Sequence, residues 1–132
     1  MDKNHVDFVV ADFGADPQIV TELMGIAPTE SWIAGDPIPN APNATRKYSA
    51  WVLNSGLALD VHVDDQLVAL LSLLIQRVDR VKTTVERFPC WIRCAIYYVD
   101  FTPGINLSET VIRDTAALGL SIDFDLYFLG DA

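Results

Sequence analysis

An α+β two-layer sandwich is the fold class this sequence predicts. It is a mostly antiparallel sheet with helices on one face, laid out as a ferredoxin-like βαββαβ core plus an extra αβ unit. Three observations predict it. Residues 63–88 hold no Gly and no Pro and carry the one long helical period, with Leu67, Leu70 or Leu71, Leu74, Val78, Val81, Val85 and Phe88 recurring at steps of three and four. Residues 90–101 and 120–128 alternate their side chains at period two. The segments follow in the order strand, helix, strand, strand, helix, strand, helix, strand. The chain has 132 residues, enough for one domain spanning 1–132.

Residues 5–12 read as the first strand, with Val6, Phe8 and Val10 on one face and His5, Asp7, Val9 and Ala11 on the other. Asp16 is the expected cap of the next helix, with Pro17 in its first turn and Gly25 ending it. Residues 29–34 make a short strand around Trp32. Residues 35–45 contain three prolines and two asparagines and read as a surface loop, mobile at its tip. Arg46 and Lys47 follow as a small basic spot. Residues 48–55 form a strand with Trp51 and Leu53 on one face, and 57–62 continue it or form a short strand of their own.

The 63–88 helix starts at Asp64 and Asp65, whose carboxylates suit a helix N-terminus, and Pro89 stops it. Residues 67–75 are apolar nearly all round, so they read as the buried centre of the fold. Residues 78–88 are amphipathic, so the change near 76–79 is the place for a kink or a split. On the strand after Pro89, Cys90, Ile92, Cys94, Ile96 and Tyr98 share one face, and Trp91, Arg93, Ala95, Tyr97 and Val99 share the other. Ser108 caps a last helix over 109–118, with Val111, Ile112 and Leu118 inward and Gly119 closing it. Along 120–128, Leu120, Ile122, Phe124, Leu126 and Phe128 are expected inward, and Ser121, Asp123, Asp125 and Tyr127 outward.

Composition excludes some functions. Eighteen Asp and Glu oppose nine Lys and Arg, a formal net charge of −9, which argues against nucleic acid and against an anionic membrane surface as partners. No charged leader with an apolar core opens the chain, and the apolar run 67–75 is too short to span a bilayer. Cys90 and Cys94, on one strand, stand roughly 13 Å apart, beyond disulfide reach, and read as reduced core residues. The expected location is cytoplasmic.

In this order the chain resembles the bacterial family known as domain of unknown function 4279. The resemblance rests on Phe13 and Gly14 ending the first strand, on the run Leu23, Met24, Gly25, Ile26, Ala27 and Pro28, and on Gly35 before a loop. It also rests on the run from Ser49 to Leu53, on His62, Val63 and Asp64 entering the long helix, and on Leu118, Gly119 and Leu120 leading to Asp125, Leu126, Tyr127 and Phe128. It covers nearly the whole chain. The family name implies no activity, so no catalytic residue is carried over.

Two surfaces are candidates for function. The first is the sheet face away from the helices, with Trp91, Arg93, Tyr97, Asp123, Asp125 and Tyr127; aromatics mixed with Arg are interface chemistry. Against it stands a plain solvated face on which Arg93 pairs with Asp123 or Asp125. The second is a groove between the 35–47 loop and the sheet, holding Trp32, Arg46, Trp51 and His62. A metal is not expected, although His5 with Asp7 and His62 with Asp64 are each spaced to share a face. No cofactor or catalytic group is expected: no serine elbow, no reactive cysteine at a helix start and no phosphate-binding glycine loop is present. The reading is a non-enzymatic domain that binds a protein or itself, as a homodimer or as an immunity-like protein that captures a basic toxin. The alternative is a small enzyme or ligand-binding domain using the loop groove.

Overall fold

The five strands lie in one sheet in the order β2-β3-β1-β4-β5, where β1 is Lys3–Ala11, β2 Glu30–Trp32, β3 Ala50–Asn54, β4 Cys90–Tyr98 and β5 Ile122–Phe128. The helices are α1 (Gln18–Met24), α2 (Val63–Ile75), α3 (Val78–Arg87) and α4 (Glu109–Ala117). These elements come from a computed structural model that describes residues 3–130. β1 pairs antiparallel with both β3 and β4, and β2 pairs antiparallel with β3. Two strand–helix–strand units therefore interleave, as the ferredoxin-like reading expects. β5 pairs parallel with β4, which a crossover through α4 requires. The α+β sandwich with its extra αβ unit is the observed architecture.

The core lies between the helices and one sheet face. Val6, Phe8, Val10, Trp51, Ile92, Cys94 and Ile96 point into it from the strands, and Leu67, Leu70, Leu71 and Leu74 from α2. Each such side chain contributes about 1.5–3 kcal/mol by leaving water. Gln66 is one of the polar side chains buried with them. Its Nε2 donates to Asn4 O and Val61 O, and its Oε1 accepts from Ser55 Oγ, so it fastens residues 55–61 to the start of β1. Those residues form turns rather than the expected strand, because their polar groups are satisfied by Gln66 and Asn4 rather than by a ladder.

The 63–88 segment is two helices. α2 ends at Ile75 with Gln76 as its C-cap, and Arg77 (φ −122°, ψ 34°) leaves helical geometry before α3 begins. No Gly or Pro forces the break. The two halves pack on different supports: α2 lies over β1, and α3 lies beside α1. Val81 and Thr84 are buried there, and the Arg80 Nη1 donates to Glu22 O and Leu23 O at the end of α1. The N-cap of α2 is His62, whose Nδ1 accepts from Asp64 N at 3.2 Å. Asp64 and Asp65 sit in the first turn, and Asp64 Oδ1 accepts from Asn106 N.

Other expected caps are present. Asp16 Oδ1 accepts from Gln18 N, Gly25 closes α1 at φ 69°, and Ser108 Oγ accepts from Val111 N. The 35–45 loop is folded, with Pro37 bridged to Thr45 and Ile38 N donating to Ala44 O. Two inward expectations fail. Ile112 is 56% exposed, since Val111, Thr115 and Leu118 form the buried side of α4. On β5, Phe124, Leu126 and Phe128 are 36%, 48% and 61% exposed. β5 is the last strand of the sheet, and the helical layer covers only its start, where Ile122 is half-buried. Among the described residues no helix is long and apolar enough to cross a membrane.

Candidate functional site

Strand register arranges the helix-free face of the sheet in rows. One row runs Glu30, Val52, Val9, Trp91 and the next Asn54, Asp7, Arg93, Asp123. Below them, His5 and Ala95 lead to Asp125, and Lys3 and Tyr97 lead to Tyr127. Trp91, Arg93, Tyr97, Asp123, Asp125 and Tyr127 therefore share one face, as expected from their spacing.

The upper part of this face is a basin. Val9, Ala50 and Val52 are buried although no helix lies over them, and Trp32 and Trp91 pack against them from the sides. Tyr48, Arg93 and Asp125 complete the lining of a cavity of about 200 Å³. The Arg46 guanidinium sits 3.8 Å over the Trp32 ring, a cation–π contact that fixes this wall. On its other side Trp32 borders a second hollow of about 220 Å³, with Ile38, Thr45, Arg46, Lys47 and Tyr48. This is the groove between loop and sheet.

At the centre of the face Arg93 Nη2 lies 2.8 Å from Asp7 Oδ2, directly across the β1–β4 ladder. Burial alone would lower the pKa of Arg93, but the hydrogen bond and charge of Asp7, with help from Asp125, hold it above its ordinary value. The expected pairing with Asp123 or Asp125 is thus corrected. Asp7 is nearly enclosed and comes straight at the guanidinium, whereas Asp123 and Asp125 are exposed on the outer strand. Among the described residues Arg93 Nε is buried with no hydrogen-bond partner, and so is Arg46 Nε. The lower part of the face is an aromatic strip. His5 meets Tyr97 edge-on at 5.9 Å, and Tyr97 stacks on Tyr127 at 4.7 Å and 15°.

Of the four residues expected in the loop groove, Trp32 and Arg46 are there. Trp51 is not: it is 0% exposed on the opposite face, edge-on to Phe8, with its indole donating to Thr21 Oγ1 at 3.0 Å. His62 is not there either. It caps α2 beside the start of β1, whereas the groove lies at the end of β1, where Ala11 pairs with Ala50. The paired His and Asp spacings serve other contacts. Asp7 is held by Arg93, and His62 Nδ1 accepts from Asp64 N. No three potential metal ligands gather among the described residues.

The basin floor and the place of Tyr48 in its lining are not among the residues expected from the sequence. A signal was present. Val9, Val10 and Ala11 are apolar in succession, as are Ala50, Trp51, Val52 and Leu53, and strands apolar on both faces have cover on both.

A model of the family described as Domain of unknown function (DUF4279) matches residues 2–129. No curated protein and no solved structure matches the chain.

Proposed function

Because the chain belongs to the DUF4279 family, whose description carries no activity, its role is argued from its surface, and we propose a binding domain that holds a protein partner on the open face of its sheet. The observation that carries this reading is the basin. An apolar floor of Val9, Ala50 and Val52 lies between two tryptophans, ready-made for one anchoring side chain, with Tyr97 and Tyr127 extending the contact surface below. Trp, Tyr and Arg are the residues that dominate interface energetics. The net charge of −9, with Asp123 and Asp125 on the exposed rim, favours a basic segment as the occupant. A lysine or arginine entering between the rings gains cation–π attraction of about 0.5–2 kcal/mol. Capture of a basic toxin, as immunity proteins do, fits the chain's size and charge.

The test is a paired capture. Wild type and the variants Trp91→Ser and Tyr127→Ser are used as bait under identical conditions, after matching their melting temperatures. A basic protein retained by wild type and lost by both variants supports the reading. Retention of the same proteins by all three removes it.

The loop groove supports a second reading, a small-molecule pocket. Arg46 and Lys47 both line it, so a ligand carboxylate has charge partners there. Melting curves with benzoate and similar planar carboxylates test it; no shift that depends on Arg46 counts against it.

A further inference from the structure

β5 has a free side. It ends the sheet, and among the described residues no strand pairs with its outer edge. Ser121 O accepts from Ile92 N, and Leu129 N donates to Tyr98 O, so the odd positions of β5 turn their backbone groups toward β4. Ile122, Phe124, Leu126 and Phe128 must then direct N–H and C=O outward. Phe124, Leu126 and Phe128 also carry the side chains that the helical layer leaves exposed. The usual protections of an edge are missing. Residues 122–128 contain no Pro and no Lys, and their two charges, Asp123 and Asp125, lie on the opposite face. The other edge of the sheet, β2, is three residues long and offers little to pair with.

We infer that two copies of this chain associate by antiparallel pairing of β5 with β5, with the dyad at Leu126. The edge is self-complementary. Phe124, Leu126 and Phe128 read the same in both directions, as a strand paired with itself requires. A dyad perpendicular to the sheet keeps both helical layers on one side and pairs residues of equal parity. Centred on Asp125, it sets that carboxylate against its own copy. Centred on Phe124, it sets Asp123 against the partner's Asp125. Like charges directly opposite are destabilising. Centred on Leu126, it sets Leu126 against itself, Phe124 against the partner's Phe128, and Asp125 against the partner's Tyr127. Aromatic faces aromatic, and no carboxylate faces another among residues 124–128. The result is a ten-stranded sheet whose two open faces join across the dyad. This pairing does not depend on what the open face binds.

Sedimentation equilibrium is the test, run on wild type, Leu126→Lys, Trp91→Ser and single-cysteine additions at 124, 125 and 126. Wild type is expected at twice the mass of one chain and Leu126→Lys at the mass of one chain, still unfolding in one cooperative transition but without the concentration dependence that a pair gives the wild-type melting temperature. Trp91→Ser is expected to remain double. Directly opposed residues in such a pair have Cα atoms about 5.5 Å apart, within disulfide range, so Leu126→Cys crosslinks to its own copy ahead of Phe124→Cys and Asp125→Cys. A wild type of single mass at the highest attainable concentration overturns the inference, as does a Leu126→Lys protein that stays double. Crosslinking led by Asp125→Cys overturns the register. Loss of the double mass in Trp91→Ser alone would move the interface to the open face.

Discussion

Arg93 Nη2 and Asp7 Oδ2 lie 2.8 Å apart on the open face of the sheet, with the Asp7 side chain 8% exposed and the Arg93 side chain 38%. The pair holds the middle of the face together, between the tryptophan basin above and the tyrosine strip below. Replacing Arg93 by Met leaves an enclosed carboxylate without its charge partner. The expected loss is about 1–3 kcal/mol, less than for a fully buried pair because water reaches Arg93. Urea unfolding at neutral pH measures it, and Asp7→Asn should cost less, since the amide still accepts a hydrogen bond. Equal stability of Arg93→Met and wild type would show that the pair is ornamental.

Gln66 is the polar fastening inside the core. Gln66→Leu keeps the volume but leaves Asn4 O without its donor and the Ser55 hydroxyl without its acceptor, and should destabilise by about 2–3 kcal/mol. The same denaturation series reads it, and faster amide exchange over 55–61 should accompany the loss.

Gly25 joins a backbone requirement to a close approach. Its φ is 69°, and a Cβ there would stand 2.9 Å from Arg80 Nη1, the group that caps the carbonyls at the end of α1. Gly25→Ala should cost about 1–2 kcal/mol, mostly from the left-handed backbone, because the arginine tip can shift. If Arg80→Met is introduced first and the cost of Gly25→Ala stays the same, the backbone term is the whole effect.

The two thiols should make stability fall in alkali. Burial pushes Cys90 and Cys94 up to about 12, with the Asp7 charge adding to the effect at Cys94. In the unfolded chain a thiol ionises near 9, so between roughly 9 and 12 only the unfolded state releases these protons. Their contribution is complete below 9 and is lost as pH rises toward 12. Urea midpoints at pH 8 and pH 10 should drop further for wild type than for Cys94→Ala. Identical slopes would place Cys94 in contact with water.

The layout of this fold is legible in the chain because its signals are local. Asp16, Gly25 and Ser108 mark helix ends by their own chemistry, and the period of Val6, Phe8 and Val10 names the core side of β1. What failed depends on neighbours. The alternation of Phe124, Leu126 and Phe128 shows that one side of β5 is apolar but carries no information on whether a helix reaches it. The partner of Arg93 follows from the β1–β4 register, which no single strand encodes. His62 drew a site reading through its imidazole, yet a residue just ahead of an apolar helical run is placed to cap it. Trp51 shares the alternation of Leu53, which by itself places it on the core side of β3.

Three indoles offer the most direct test of the open face as the binding surface. Trp32 and Trp91 wall the basin, while Trp51 is sealed in the core with its Nε1–H on Thr21 Oγ1. Their three Nε1–H resonances, assigned by single substitution, are followed while the captured basic partner is added. The Trp32 and Trp91 signals are expected to move together and saturate while the Trp51 signal stays in place. A partner that binds and leaves both basin signals unmoved would contradict it.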